Sequence, residues 1–173
     1  MTNHPRPKKA RATVPTGVSR SPIRASPELA GWREWCSLPE LGVARIKAKL
    51  DTGARTSALH AIDIEPFRRA GRDWVAFRLH PQQRSTVTTL DCEAPVLDLR
   101  WIRNPGHRRE RRYVIATTLL LGTARWPIEL ALTSRDEMGF RMLLGRTALR
   151  RRIIIDPARS FRLGGPAGSP PDR

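Results

Sequence analysis

The residues best suited to chemistry in this sequence are Asp51, Thr52 and Gly53, which directly follow a strand pattern. Residues 44–50 alternate between apolar and basic side chains, as in a strand with one buried and one charged face. Such a strand presents the Asp51 carboxylate at its end. Gly53 has no Cβ, so backbone N–H groups can approach that carboxylate closely. The pattern predicts a catalytic Asp51 in a loop with Thr52, Gly53 and Ala54; a structural turn is the alternative.

A second segment supports the catalytic interpretation. Far downstream, the segment Leu143-Leu144-Gly145-Arg146 places two apolar residues before Gly-Arg, ahead of a stretch that suits a short helix. Together with the Asp-Thr-Gly triplet it resembles the retropepsin-like aspartic peptidases, in which an apolar-apolar-Gly strand packs behind the Asp-Thr-Gly loop. Longer stretches are similar to the bacterial family labelled ATP-dependent zinc protease: residues 51–61, 126–130, 135–149 and 156–157. The resemblance covers residues 31–163.

The resemblance implies a mainly β fold, a retropepsin-like closed β-barrel with one short C-terminal helix, and aspartic endopeptidase activity. In that mechanism two adjacent carboxylates share one proton, and the ionised member activates the water that attacks the peptide bond. Because this sequence has a single Asp-Thr-Gly, the resemblance implies a homodimer with two-fold symmetry in which each subunit contributes Asp51. Thr52 would then brace the loop of the opposite subunit, and Gly53 would lie against the substrate.

Besides nucleic-acid binding, which the +11 charge of residues 31–164 allows but no recognised motif supports, two other functions stay open from the sequence. One is a non-catalytic binding module of the same fold, although the intact Asp-Thr-Gly triplet argues against it. The other is the zinc-dependent peptidase that the family label names. His60, His80 and Cys92 are weak metal candidates, because their spacing matches no common zinc site and neither His-Glu-x-x-His nor Cys-x-x-Cys is present. The sequence also lacks a Gly-x-x-x-x-Gly-Lys-Ser/Thr nucleotide loop, so no cofactor is expected.

Arg55 distinguishes this loop from the retroviral pattern, in which an acidic residue commonly follows the Ala of the loop. A nearby cation favours the ionised carboxylate, so a strongly acidic optimum is not expected. Arg55 is a candidate for an interface ion pair or for contact with an acidic substrate; a solvated surface arginine is the alternative. The expected substrate is a peptide or protein, with a preference for acidic segments such as glutamate-rich tails.

Length and composition fit one domain with tails, since 173 residues with 39 % hydrophobic content can form a core. Residues 1–30 are predicted to be a disordered basic arm, residues 31–163 the peptidase domain, and residues 164–173 a disordered tail. The net charge is +16, and residues 31–164 alone carry +11. This charge suits an acidic partner, but nucleic acid is not expected because no recognised nucleic-acid motif is present. With no secretory signal near Met1 and no membrane-length apolar run, a cytoplasmic protein without membrane contact is predicted.

Period-2 patterns predict further strands at residues 74–79, 97–101, 113–121 and 128–132, with a turn at 104–106. Polar residues 80–88 lie between two strands and are the candidate flap over the substrate. Thr147 is predicted to cap a short helix. Residues 153–155 and 160–163 are predicted to close the sheet. The two cysteines are predicted to be buried thiols rather than a disulfide.

Overall fold

The structure, a computed structural model, describes residues 26–83, 86–103, 109–134 and 139–164. These residues form a mainly β structure with one short α-helix. The strands are β1 (Glu28–Gly31), β2 (Arg33–Leu38), β3 (Val43–Asp51), β4 (Ser57–His60), β5 (Ile62–Arg69), β6 (Arg72–Leu79), β7 (Leu90–Arg103), β8 (Arg109–Leu121), β9 (Ala124–Thr133), β10 (Met142–Gly145) and β11 (Ile153–Asp156). The helix is α1 (Arg146–Leu149), and a 3-10 turn spans Pro39–Leu41.

Most strands belong to one sheet that closes on itself. Strands pair in the order β2-β3-β10-β4-β9-β8, and β8 returns to β2 through the pairs Cys36–Leu121 and Ser37–Leu120. The length of β8, 13 residues, allows this, because its first half pairs with β7 and its last residues pair with β2. Strands β7, β6 and β5 extend the sheet beyond the ring. The predicted mainly β fold, with a sheet closed on itself and one short helix, is confirmed.

The strand that leads to Asp51 has the predicted alternation from Ile46 onward, whereas Ala44, which was predicted on the buried face, is exposed. In β3, Ile46, Ala48 and Leu50 are buried, whereas the basic residues between them are partly exposed. The apolar faces of the strands meet in a hydrophobic cluster whose largest fully buried members include Leu38, Ile46, Leu59, Leu119, Leu130, Met142 and Leu144. Burying a side chain of this size stabilises the fold by about 1.5–3 kcal/mol relative to leaving it exposed. The core therefore fixes the strand ends that carry the site.

The chain after β10 differs from the prediction in two respects. Helix α1 begins at Arg146 with Gly145 as its N-cap, so the prediction that Thr147 is the cap is wrong. The Thr147 hydroxyl instead donates a hydrogen bond to the carbonyl of Arg55. Strand β11 pairs in parallel with β1 as a separate two-stranded sheet, so it does not close the main sheet.

The predicted strand at residues 160–163 is also wrong. This segment forms a turn in which Phe161 has a φ of 54° and donates its N–H to the carbonyl of Arg33 at 2.9 Å. The N–H groups of the next two residues donate to the buried carboxylate of Glu34, at 2.8 and 3.3 Å. The Glu34 carboxylate thus accepts the N–H groups that the carbonyls of a neighbouring strand would accept in a sheet. A period-2 sequence pattern gives no information about such a side-chain acceptor.

Some predictions concern residues outside those that the structure describes. They include most of the basic arm, all but the first residue of the C-terminal tail, and the turn at 104–106, so the domain division stays a prediction. In the described part of the chain, no helix is long and apolar enough to cross a bilayer. Cys36 and Cys92 are both buried free thiols, as predicted.

Candidate active site

Asp51 is the last residue of β3, and it lies beside the last residue of β10. The two strands are parallel, with Gly145 in register with Asp51. The Asp51 side chain is 25 % exposed, and its Oδ1 accepts hydrogen bonds from the N–H groups of Gly53 at 2.9 Å and Ala54 at 3.1 Å. A Cβ on Gly53 would lie 3.2 Å from that oxygen, which accounts for glycine at this position. The loop therefore directs two backbone donors at one carboxylate oxygen.

The carbonyl groups of the same loop are held from the other side by the start of α1. The Arg146 guanidinium donates to the carbonyls of Thr52 at 2.8 Å and Gly53 at 2.9 Å. The backbone N–H of Arg146 donates to the carbonyl of Ala54 at 2.9 Å. The next residue donates its N–H and its hydroxyl to the carbonyl of Arg55, at 3.1 and 3.0 Å. All four carbonyls from Thr52 to Arg55 are therefore fixed, and the Asp51 loop, residues 51–56, has a defined shape.

Gly145 allows β10 to approach this loop closely. A Cβ there would lie 2.7 and 2.8 Å from the backbone of Thr56 and 2.9 Å from the carbonyl oxygen of Arg55. No side chain fits at such distances, because the neighbouring atoms are backbone and cannot rotate away. The N–H of Gly145 also donates to the buried hydroxyl of Ser57 at 3.1 Å. The predicted supporting segment Leu143-Leu144-Gly145-Arg146 thus lies directly against the Asp51 loop.

The structure brings a second cation to Asp51 that the sequence analysis missed. The ammonium group of Lys49 lies 3.9 Å from Asp51 Oδ2 and is partly exposed. Residues two apart on a strand point to the same side, so the period-2 pattern of β3 contained this relationship. Arg55, the cation predicted from the sequence, is exposed and borders two cavities.

The first cavity, about 710 Å³, extends from the Asp51 loop to β7. Arg55 and Thr56 line one side, and Leu97, Arg100 and Trp101 line the other. Trp101 is 65 % exposed and Leu97 is also exposed, so this wall presents apolar surface to solvent. Strand β7, rather than the segment proposed as a flap, faces the Asp51 loop across this space.

The two arginines of this cavity differ in their partners. Arg100 binds the carboxylates of Asp98 and Glu129, and these hydrogen bonds raise its pKa further above the usual range. The same contacts lower the pKa of Asp98. Arg55 forms no ion pair with any carboxylate among the described residues. Its guanidinium is therefore the one of the two that remains able to bind an anion in the cavity.

A second cavity, about 910 Å³, adjoins the other side of the loop. Thr52 and Arg55 border it together with the apolar side chains of Leu149, Ile153 and Ile155. Leu29 and Ile154 are register partners in the two-stranded sheet and are 44 % and 55 % exposed, but Ile154 alternates with Ile153 and Ile155 and so lies on the opposite face of β11. The Asp51 loop therefore lies beside a groove with an apolar floor.

The described residues of the candidate flap, 80–83 and 86–88, include several that lie near the start of β3. Pro81, Gln82 and Gln83 line a separate cavity with Arg45 and Lys47, and in the described contacts they do not reach the Asp51 loop. The flap assignment therefore stays a prediction.

The weak metal candidates have separate surroundings. His60 is buried in β4, His80 Nδ1 lies 3.3 Å from the carbonyl of Thr88, and Cys92 Sγ points to the carbonyl of Leu41 at 3.4 Å. In the parts of the chain that the structure covers, no three His, Cys, Asp or Glu side chains are grouped so that they could share a metal ion.

Comparison with known proteins agrees with this geometry. The family model described as RimB-like, retropepsin-like aspartic endopeptidase RimB, matches residues 29–163. The chain belongs to the RimB-like family. The predicted retropepsin-like resemblance is therefore confirmed, and in this RimB-like chain the Asp51 loop and β10 both fall within the matched residues.

The curated relatives of this RimB-like chain are longer proteins with a different name. Proteins named probable alpha-L-glutamate ligase from Shewanella pealeana and Desulfotalea psychrophila are 51 % and 50 % identical to it over 136 and 137 residues. The aligned region is 79 % of this chain but only 30 % of each relative. A solved structure from Legionella pneumophila, a DUF785 protein of unknown function, matches with a TM-score of 0.64 and 26 % identity, covering 78 % of this chain and 97 % of that one.

Proposed function

We propose that this chain is a homodimeric aspartic endopeptidase in which Asp51 of each subunit forms the catalytic carboxylate pair. The Asp51 loop is the observation that carries the proposal. One carboxylate oxygen is fixed by two backbone N–H groups, whereas Oδ2 accepts no hydrogen bond from the described residues. Oδ2 is thus available to a proton or a water molecule.

The chemistry requires two carboxylates because each has a separate task. The ionised member accepts a proton from water, whose oxygen then bonds to the carbonyl carbon of the substrate. The protonated member donates its proton to the carbonyl oxygen, and the C–N bond breaks as the leaving nitrogen gains a proton. The products are a carboxylic acid and an amine. Because the pair titrates as a unit, neither Asp51 has a fixed role in the free enzyme.

A second copy of the chain supplies the second carboxylate. The sequence contains one Asp-Thr-Gly, so one subunit alone lacks the pair. Leu149, Ile153 and Ile155 form the apolar part of a groove that borders Thr52, and Arg146 and Arg150 line the same groove. A two-fold interface uses the same patch on both subunits, so an apolar surface next to the loop can bring two loops together. We place the dimer contact on this surface.

The substrate is proposed to be an acidic peptide segment. Arg55 lines the cavity between the Asp51 loop and β7. The charge of Arg100, the other arginine of this cavity, is already paired with two carboxylates. Guanidinium groups bind carboxylates with two parallel hydrogen bonds, which makes Arg55 the natural contact for a glutamate side chain. The longer relatives are named as glutamate ligases, and a peptidase that acts on glutamate-rich segments in the bacterial cytoplasm suits that association.

Replacing Asp51 tests the catalytic assignment. We expect Asp51→Asn to lower kcat/KM for peptide hydrolysis by about 10²–10⁴-fold, because the amide can neither accept nor share the proton. The midpoint of thermal unfolding should stay close to that of the unmodified chain. Asp73→Asn, at an exposed position, is the control and should retain activity. Full activity of the Asp51 variant would overturn the assignment, and an unmodified chain that hydrolyses no peptide would favour the binding-module alternative.

Chelation separates the proposed mechanism from the metal-dependent one. A carboxylate pair activates water directly, so hydrolysis should continue in EDTA and should need no nucleotide. Loss of activity in EDTA with recovery on adding zinc would instead support a metallopeptidase, with His60, His80 and Cys92 as the first residues to replace.

Matched peptide libraries test the preference for acidic substrates. Glutamate-rich peptides should be hydrolysed faster than lysine-rich peptides, and Arg55→Gln should reduce this ratio while the exposed Arg72→Gln does not. Equal rates for the two libraries, or faster hydrolysis of the lysine-rich one, would contradict the preference and leave the role of Asp51 unaffected.

A further inference from the structure

A cationic and aromatic surface lies on the outer side of β2 and β3. We define the cationic-aromatic face by its five residues: Arg33, Trp35, Arg45, Lys47 and Phe161. Trp35 and Lys47 are register partners, and Arg33 and Arg45 lie two residues away from them on their strands, so all four point to the same side. The turn after β11 adds Phe161 to this group. Charged residues therefore alternate in space with large rings.

The cations of this face are held on the rings. The Arg45 guanidinium lies 3.7 Å from the centre of the Trp35 ring, and the Lys47 ammonium lies 4.8 Å from that ring and 5.1 Å from the ring of Phe161. The Arg33 guanidinium lies 5.1 Å from the Phe161 ring, and the two rings stack with centres 5.5 Å apart. Such contacts order the charged groups without consuming the three N–H donors of the Lys47 ammonium.

The fold holds Phe161 in place against a conformational cost. Its φ of 54° lies in the left-handed region, which costs an L-residue about 1–2 kcal/mol. The buried carboxylate of Glu34 accepts the N–H groups of the following two residues, and the Phe161 N–H bonds to the carbonyl of Arg33. The hydrogen bonds of this turn to Glu34 and Arg33 thus hold the Phe161 ring in the cationic-aromatic face.

Two cations of this face, Arg33 and Lys47, differ in their ion pairing from a similar cluster elsewhere. Arg33 and Lys47 form no ion pair within the described ranges of the chain. At the far end of the sheet, Arg69 lies over the rings of Phe67 and Trp74 at 5.0 and 4.8 Å, but it also pairs with Glu93 at 2.7 Å. The same ring geometry therefore occurs around Arg69, which has a carboxylate partner, and around Arg33 and Lys47, which have none among the described residues. The cationic-aromatic face can take an anion from outside.

A cavity adjoins the face and limits the kind of anion. It measures about 540 Å³, within the usual range for small-molecule sites. Trp35, Arg45 and Lys47 line one part, and Gln82 and Gln83 line another, with Ala44, Pro81 and Leu90 as apolar walls. Gln83 Nε2 already donates to the carbonyl of Gly139, so Gln82 supplies the amide for a ligand. Amides supply both donors and acceptors to a planar heterocycle, and the cations at the rim can bind a phosphate. A nucleotide has both groups: its base can bind the amide in the cavity, and its phosphate can bind the cations at the rim.

We propose that the cationic-aromatic face binds single-stranded nucleic acid through its phosphates and that the neighbouring cavity accepts one unstacked base. Single strands are recognised in this way because their bases can leave the stack, which paired bases in a duplex do not do readily. An acidic polypeptide would match the cations but has no group that uses the amide-lined cavity. The inference is independent of the role of Asp51.

Binding of a fluorescent oligonucleotide of about 12 nucleotides to the full chain tests the face. The double substitution Arg33→Gln with Lys47→Gln should weaken binding by about tenfold, and the slope of log K against log salt should fall by about 1.4 for the two lost contacts. Arg69→Gln removes one charge from the compensated cluster and should change affinity less than about twofold. The N-terminal arm is identical in all variants, so it does not affect the comparison. Circular dichroism confirms that each variant is folded.

Gln82→Ala tests the cavity separately. It should weaken binding of the single strand and reduce the preference for a single strand over a duplex, while the salt slope stays unchanged because no charge is removed. A loss for Arg69→Gln that is half or more of the loss for the double variant on a logarithmic scale would show a net-charge effect, because Arg69→Gln removes one charge and the double variant removes two, and it would overturn the proposal. The proposal also fails if a glutamate-rich peptide binds to the face as tightly as the oligonucleotide and loses affinity equally in the double variant.

Discussion

The Asp51 loop and the cationic-aromatic face are built in different ways. The loop comes from two continuous segments, and most of the hydrogen bonds that fix it use backbone groups. The face comes from three separate segments, and its geometry depends on ring and cation side chains. Because any residue can make backbone hydrogen bonds, the loop requires particular residue types at only a few positions, such as Asp51, Gly53 and Gly145. The cationic-aromatic face instead requires several particular side chains on separate segments, and these residues form no recognisable motif in the sequence.

The largest expected effect that separates the two regions comes from Gly145→Ala. The new Cβ would lie within 3 Å of the backbone of Arg55 and Thr56, so the loop must shift. A misplacement of about 1 Å costs roughly a hundredfold in activity, and overpacking of this kind costs about 1–3 kcal/mol of stability. Oligonucleotide affinity should stay unchanged. Gly139→Ala is the control, since a Cβ there meets no atom within 4 Å. Full activity of the Gly145 variant would contradict the close approach.

Glu34→Gln should produce the opposite pattern. The buried carboxylate accepts three N–H groups, from Gly31 and from the turn that carries Phe161. An amide can no longer accept with both ends, so we expect a loss of about 2 kcal/mol in the free energy of unfolding, measured with urea. Oligonucleotide binding should weaken as Phe161 loses its position, whereas peptide hydrolysis by the folded fraction should persist. The exposed Glu65→Gln should change neither quantity.

A smaller effect on the loop is expected from Arg146→Met. This change removes the two hydrogen bonds to the carbonyls of Thr52 and Gly53 but keeps the backbone bond to Ala54. Activity should fall by about tenfold, which corresponds to about 1.4 kcal/mol, with little change in the unfolding midpoint. Peptide hydrolysis by this variant and by Arg72→Met, an exposed control, checks the expectation. Equal activity of both variants would show that the Arg146 side chain does not hold the loop.

The smallest effects concern the two buried thiols. Burial raises the pKa of Cys36 above its usual range, with Glu34 adding to the shift, and burial followed by the charge of Asp91 raises the pKa of Cys92 to about 11. Both folded-state values lie above the usual 9.0, so this contribution to stability is complete below about pH 9 and declines as the pH rises towards 11. Thiol labelling at pH 8 should follow global unfolding. Rapid labelling of the native chain would show that one region opens locally.

The sequence predicted the loop much better than its surroundings. Alternation in β3 and the Asp-Thr-Gly triplet placed Asp51 at a strand end, and the Leu-Leu-Gly segment predicted the neighbouring strand, because these features are local and periodic. The roles of Thr147 and Phe161 were missed, since each depends on a partner far away in the chain: the carbonyl of Arg55 in one case and the carboxylate of Glu34, which anchors the turn, in the other. Lys49 was overlooked although its spacing from Asp51 was visible.

The central claim is that one catalytic site contains Asp51 from two subunits, and mixing subunits tests it most directly. The unmodified chain and the Asp51→Asn variant are unfolded together in equal amounts, refolded, and assayed for peptide hydrolysis. If both carboxylates are required, random pairing leaves only about a quarter of the dimers active, so activity should fall to about a quarter of that of the unmodified chain. Activity of about a half would mean that each subunit works alone, and it would contradict the shared site.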